Sequence, residues 1–100
     1  MDPPLTNIST MKPTRTGFLS TMTPEERGVM EQHFAYVQRL FDQGKLLLGG
    51  AATDGAIEVL VYRVDSADEA RRFFDEDPAA KAAIDRSELH PFRVGLLLGS

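Results

Sequence analysis

The chain has 100 residues, with 11 Lys or Arg against 15 Asp or Glu, which gives a formal net charge of −4. This length allows one domain, taken as residues 1–100, and the mild acidity argues against a nucleic-acid partner, which would need a basic face. The absence of cysteine excludes disulfides, thiolate nucleophiles and cysteine zinc sites. No apolar run approaches the roughly 20 residues that span a membrane, and the first residues lack the pattern of a secretion signal. We therefore expect a soluble cytoplasmic protein.

The start of the chain predicts a polar strand followed by a loop. Two prolines within residues 1–4 indicate a frayed segment, since proline cannot donate to a strand ladder. Residues 5–11 are rich in β-branched side chains and are predicted to form a strand. Residues 12–22 contain Pro13 and Gly17, a composition typical of a loop.

A long amphipathic helix is predicted between Thr23 and Gly44. Thr23 and Glu26 have the spacing of a capping box, with a proline at the first helical position between them. Gly44 is a typical left-handed residue after a helix C-terminus. His33 lies on the helix face that must contact a sheet, because its neighbours on that face are apolar. The apolar positions at helical spacing are Met30, Phe34, Val37 and Phe41, with Val29, His33, Tyr36 and Leu40 beside them.

Two further strands are predicted after this helix. Residues 45–52 form an apolar run, and Asp54 with Gly55 is typical of a hairpin turn. Residues 56–64 are predicted to form a strand with apolar side chains on both faces. A strand of this kind must be covered on both faces.

Two short helices and a last strand complete the pattern. Ser66 and Glu69 have the spacing of a second capping box. Asp77 is followed by a proline, which suits an N-cap for a short helix over residues 79–84. The last strand, residues 88–98, contains a proline, and such a strand is tolerated only at the edge of a sheet.

The predicted order of elements is β-α-β-β-α-β, which defines an α+β protein with the split βαβ arrangement. The two helical segments of this order, one after the first strand and one before the last, can cover only one face of the sheet. The other face carries apolar residues, and no further element is predicted to cover it. A second copy of the same sheet is the simplest cover, so we expect a homodimer that buries this face.

Several short motifs occur in a characteristic order along the chain. They are His33 to Tyr36, Gly44 to Gly50, Ser66 to Ala70, Asp77 to Ala82 and Leu89 to Phe92. Together these motifs resemble the YCII-related family over most of the chain. The resemblance implies a ferredoxin-like fold with a four-stranded antiparallel sheet in the order 4-1-3-2, helices on one face, and pairing of two sheets into a dimeric α/β barrel.

The resemblance also implies an active-site pair of one histidine and one aspartate, which correspond here to His33 and Asp77. Each residue also has a purely structural interpretation, since His33 could be a satisfied core residue and Asp77 only a helix cap. The two roles of Asp77 are compatible, because one carboxylate oxygen can cap the helix while the other orients the imidazole. We expect a distance of roughly 2.6–3.2 Å between the pair, with the other ring nitrogen facing a cavity.

Three further residues are candidates for binding the substrate. His90 lies in the last strand and could line the pocket, although strand histidines are more often packed or exposed. Lys12 and Arg15 lie in the first loop and could bind an anionic substrate if the loop folds over the pocket, or could simply be solvated charges. No two His or carboxylate groups have metal-ligand spacing on one face, so we expect neither a metal nor another cofactor.

Two functions from different classes fit these residues. The first is a small cofactor-independent enzyme, similar to a lyase or isomerase, that uses His33 and Asp77 as a general acid/base pair. Its substrate would be a small anionic or phenolic organic molecule, because relatives of the family include a dehydrochlorinase of a chlorinated hydroxyquinol. The alternative is a non-catalytic accessory or regulatory module that binds a small molecule in the same pocket.

Overall fold

The computed structural model describes residues 5–99, which form four strands and four helices. The elements are β1 (Leu5–Pro13), α1 (Phe18–Thr21), α2 (Pro24–Asp42), β2 (Leu46–Ala51), β3 (Glu58–Val64), α3 (Ala67–Glu76), α4 (Pro78–Ala82) and β4 (Asp85–Phe92). Of these helices, none is long and apolar enough to cross a membrane. The frayed segment predicted for residues 1–4 lies outside the described residues.

The four strands form one antiparallel sheet in the order β2-β3-β1-β4. This is the expected order 4-1-3-2 viewed from the opposite edge. β3 pairs with β1, so the two central strands come from distant parts of the chain. β4, which contains Pro91, lies at an edge, as the poor tolerance of proline inside a sheet requires. The predicted α+β, ferredoxin-like fold is confirmed.

Strand pairing moves several boundaries away from their predicted positions. The final strand spans Asp85–Phe92 and not residues 88–98, because it pairs along β1, which begins at Leu5 and ends at Pro13. A strand extends only as far as a neighbouring strand supplies hydrogen bonds. The last short helix ends earlier than predicted, since Ala83 has a left-handed backbone with φ of 53°. The predicted first loop contains the short helix α1.

The predicted ends of α2 are confirmed by their hydrogen bonds. The Thr23 Oγ1 accepts from the backbone N–H of Glu26 at 3.1 Å, and Glu26 Oε1 accepts from the backbone N–H of Thr23 at 2.8 Å. Gly44 follows the helix with φ of 76°, and its N–H donates to the carbonyl of Phe41. These two ends fix the length of α2 and place His33 in its central turns.

The hydrophobic core lies between the helices and one face of the sheet. Alternate residues of β3 enter this core, while Val59 and Val61 point to the opposite face. The helices cover the first face only. On the second face Val61 is buried within the chain, and Val59 beside it is partly exposed. The buried core residues are Tyr36, Leu40, Leu46, Leu60, Tyr62, Val64, Ala70 and Phe73.

Candidate active site

His33 lies at the boundary between α2 and the sheet, and its side chain has no solvent-exposed surface. Its Nδ1 is 2.7 Å from Oδ1 and 2.9 Å from Oδ2 of Asp77. This contact agrees with the distance predicted from the sequence. The catalytic role of the pair stays a prediction, because the contact also satisfies the hydrogen-bonding needs of a buried histidine.

Asp77 occupies the junction between α3 and α4, where it is the C-cap of one helix and the N-cap of the next. Its Oδ1 accepts from the backbone N–H of Ala79 at 2.9 Å while also receiving the hydrogen bond of His33. The residue is 3% exposed, so its carboxylate has little contact with water. Asp77 is therefore a helix cap and a histidine partner at once, and the cap holds the carboxylate in one orientation.

The second ring nitrogen of His33 was expected to face a cavity, but it contacts a carboxylate that the sequence analysis did not select. The Nε2 of His33 is 2.6 Å from Oε1 of Glu58, the first residue of β3. Glu58 shares the inward face of this strand with Leu60 and Tyr62, since inward positions alternate. A single carboxylate among inward apolar residues was the signal that could have identified it. We refer to Asp77, His33 and Glu58 together as the carboxylate–imidazole row.

The row fixes the charge of its central residue. Burial lowers the pKa of His33, but the hydrogen bonds and charges of Asp77 and Glu58 outweigh this effect and raise the pKa to about 9. His33 is therefore an imidazolium at neutral pH, with one N–H for each carboxylate. Because two carboxylates share one cation, the row as a whole is anionic.

A cavity of about 440 Å³ lies beside the row. Phe34, Val37 and Phe41 of α2 line one side of it, and the charged lining residues are His33 and Glu58. Phe34 and Phe41 were predicted to belong to the apolar face of α2 that packs on the sheet. They are 56% and 53% exposed and border the cavity. The volume falls in the range of roughly 300–1,000 Å³ that is common for small-molecule sites.

Arg15 and Lys12 do not reach this cavity. Arg15 donates to both carboxylate oxygens of Glu26, at 2.8 and 2.9 Å, and to the carbonyl of Thr21. This ion pair holds Arg15 beside a separate depression next to α1. Lys12 is exposed and pairs in register with Arg86 on β4.

His90 lies on the opposite side of the sheet from His33. It faces Ile8 in the β1–β4 register, and its side chain is 59% exposed. Its Nε2 is 3.5 Å from Oε1 of Glu88, another exposed residue of the same strand. The structure therefore brings His33 and Asp77 together and places the three predicted substrate-binding residues, Lys12, Arg15 and His90, away from this cavity.

The geometry of the row does not resemble a metal centre. Within residues 5–99, no group of three or more His, Cys, Asp or Glu side chains could hold a metal ion. The imidazole of His33 separates the carboxylates of Asp77 and Glu58, so their oxygens do not converge on one point. The arrangement is suited to holding and moving protons.

The fold and the row together define a small α+β protein with an acid–base cluster beside a cavity of ligand size. The YCII-related domain family matches residues 8–93, and the chain belongs to this family. No curated protein matches the chain.

One solved structure gives an independent comparison of the fold. The chain is similar to 5-chloro-2-hydroxyhydroquinone dehydrochlorinase from Burkholderia phenoliruptrix, solved in complex with 2,5-dihydroxybenzoquinone. The sequence identity is 21% and the TM-score is 0.64, and the match covers 89% of this chain and 95% of that chain. At this level of identity the likeness shows a shared fold.

Proposed function

We propose that the protein is a small cofactor-independent enzyme, similar to a lyase or isomerase, that transfers a proton on a small organic molecule. The observation that carries this proposal is the fixed contact of His33 with Asp77 at the edge of a cavity of about 440 Å³. Acid–base catalysis needs an ionisable group held in one orientation within reach of a ligand. Strongly shifted pKa values, such as that of His33, also concentrate at functional sites.

The character of the cavity favours a phenolic ligand over a carboxylate. Its wall contains the two exposed rings of Phe34 and Phe41, which suit a flat apolar molecule. Neither Lys nor Arg is among the described residues that line it, and Glu58 places an anionic group there. A hydroxyl group can donate to such a carboxylate, whereas a second carboxylate would be repelled. The dehydrochlorinase of similar fold is named for a hydroxylated ring compound, which supports the same class.

A binding module without catalytic activity is the second candidate. The observation that favours it is the saturation of His33, whose two ring nitrogens already have partners and whose side chain has no exposed surface. In that case the row would stabilise the cavity, and the ligand would leave chemically unchanged.

Titration with phenols and incubation in D₂O separate these candidates. We use 2-hydroxyhydroquinone under inert gas as the phenolic probe and benzoate as the carboxylate control. Binding is measured by calorimetry, and replacement of ring hydrogens by deuterium is measured by proton NMR. An enzyme is expected to bind the phenol in preference to benzoate and to accelerate the exchange. Binding without acceleration would identify a binding module, and no binding of the phenol would contradict both candidates.

We also propose a homodimer in which a second copy covers the face of the sheet opposite the helices. Val59 and Ile8 lie partly exposed on this face, on either side of the buried Val61, and a stable interface of this kind commonly buries about 2,000 Å² in total. A lysine at the centre of such an interface would be buried without a partner.

The variant Val59→Lys is therefore expected to become monomeric or insoluble, while Ala35→Lys on the exposed face of α2 stays dimeric. Light scattering after size-exclusion chromatography gives the mass, which for the dimer is twice the 11.1 kDa of one chain. A wild-type protein that is monomeric at micromolar concentration would contradict the proposal.

A further inference from the structure

Access to the carboxylate–imidazole row is unequal among its three members. The side chains of His33 and Asp77 are 0% and 4% exposed, whereas that of Glu58 is 17% exposed. Glu58 also lines the cavity, at the point where β3 begins beneath α2. His33 borders the same cavity, but its side chain has no exposed surface, so a ligand there can contact Glu58 more readily than either other member.

The hydrogen bonds of the row also distinguish Glu58 from His33 and Asp77 as the member available to a ligand. Both nitrogens of His33 are engaged, and Asp77 uses its carboxylate for His33 and for the backbone of Ala79. Glu58 is bound through Oε1 alone, and within the described part of the chain no residue is hydrogen-bonded to its Oε2. The row thus has one oxygen available for a ligand.

We propose that Glu58 is the catalytic residue that touches the ligand, with Oε2 accepting a hydroxyl proton, and that His33 and Asp77 are positioning residues. The assignment rests on the proposed function and identifies which member of the row performs it. The imidazolium of His33 holds Oε1 at 2.6 Å, which fixes the carboxylate plane, and Asp77 in turn fixes the imidazole.

The proton transfer balances without any further reactant. The O–H bond of the ligand breaks, its electron pair stays on the ring oxygen, and an O–H bond forms on Oε2 of Glu58. In D₂O this proton exchanges with the solvent, and the deuteron then bonds to a ring carbon, which gives the keto tautomer. The carbon-bound hydrogen then passes to Glu58 as a proton, and the electron pair of the broken C–H bond restores the aromatic ring with one deuterium in place. That proton finally moves from Glu58 to the ring oxygen, which regenerates the ligand hydroxyl and the carboxylate.

The test uses Glu58→Gln, which keeps an oxygen for His33 but cannot take up a proton at neutral pH. The exchange rate on 2-hydroxyhydroquinone is expected to fall by about 10²–10⁴-fold, while the dissociation constant changes far less. Glu31→Gln, the same change at an exposed position of α2, is the matched control and is expected to keep the wild-type rate. Thermal melting of both variants shows that the compared proteins are folded.

A second measurement covers the case in which Glu58→Gln does not fold. The carboxyl carbon of Glu58, labelled with ¹³C in the wild-type protein, is expected to shift in the NMR spectrum when the phenol binds, with Glu31 unchanged. A Glu58→Gln variant that exchanges at the wild-type rate would overturn the assignment and leave the proposed function intact. A phenol that binds without moving the Glu58 signal would also overturn it. A wild-type protein that neither binds nor exchanges the phenol would overturn the assignment and the proposed function together.

Discussion

The variant His33→Asn is expected to lower the rate of ring-hydrogen exchange on 2-hydroxyhydroquinone by about 10²–10⁴-fold. The substitution removes the cation to which Asp77 and Glu58 are both bound. Glu58 then loses the 2.6 Å contact that orients its carboxylate, and two carboxylates are left near each other without a positive charge. Proton NMR in D₂O measures the rate, with each sample corrected for its folded fraction.

The neighbouring variant Gln32→Asn is a matched control, because Gln32 is exposed on the same helix and the new residue is the same. It is expected to exchange at the wild-type rate. A His33→Asn variant that is folded and fully active would show that the row is a structural feature only.

Asp77→Asn separates the two roles of Asp77. Asparagine caps a helix almost as well as aspartate, so α4 should persist with a small loss of stability. A neutral amide stabilises the imidazolium of His33 less than a carboxylate does, so the pKa of His33 should fall. We expect a slower exchange reaction whose pH profile moves to lower pH at its basic end. Loss of stability with an unchanged profile would identify Asp77 as a cap alone.

The free energy of unfolding is expected to decrease by about 3 kcal/mol as pH rises through the interval set by the folded and unfolded pKa values of His33. The pKa of His33 is 6.5 in the unfolded chain. In the folded protein burial lowers this pKa, but the hydrogen bonds to Asp77 and Glu58 outweigh burial and raise it to about 9. The folded state therefore binds this proton more tightly than the unfolded state. The stabilisation is fully present below pH 6.5 and is lost as pH rises to about 9.

Urea denaturation at pH 6.5 and at pH 9 measures this difference directly. The variant His33→Asn should lack the decline, because the group responsible is absent. Wild-type stability that stays constant or increases over the same interval would contradict the charge assigned to His33. Nitrogen-15 NMR of the imidazole gives an independent check, since both ring nitrogens should carry a proton at neutral pH.

Features that depend on residues close in the sequence were accessible before the structure. The capping box of Thr23 and Glu26, and the left-handed Gly44, follow from contacts within a few residues of one another. The apolar residues on both faces of β3 indicated a strand that needs cover on both faces. These patterns were sufficient for the order of the elements, and the family resemblance supplied the strand order and the pairing of His33 with Asp77.

The helical spacing of apolar residues in α2 predicted which face packs on the sheet but not which residues of that face are buried. Phe34 and Phe41 have the spacing of core residues, yet they border the cavity, while His33 and Tyr36 occupy buried positions. A helical pattern gives the direction of the apolar face to within about one residue on either side, and packing against the sheet selects which residues are enclosed. A similar limit applies to the last strand, whose length depends on its pairing with β1.

Glu58 could be assigned only from the tertiary structure. It is separated from His33 by 25 positions, and His33 is separated from Asp77 by 44, so no local pattern connects the three. The antiparallel sheet places the start of β3 beneath α2, and the junction of α3 with α4 brings the second carboxylate to the other side of the ring. The sequence by itself determined helices α2, α3 and α4, the capping box of α2 and the order of the strands along the chain, because these follow from short-range hydrogen bonds and side-chain periodicity. The charge of His33 and the free oxygen of Glu58 were decided by the tertiary structure, because both arise from burial and from contacts between distant segments.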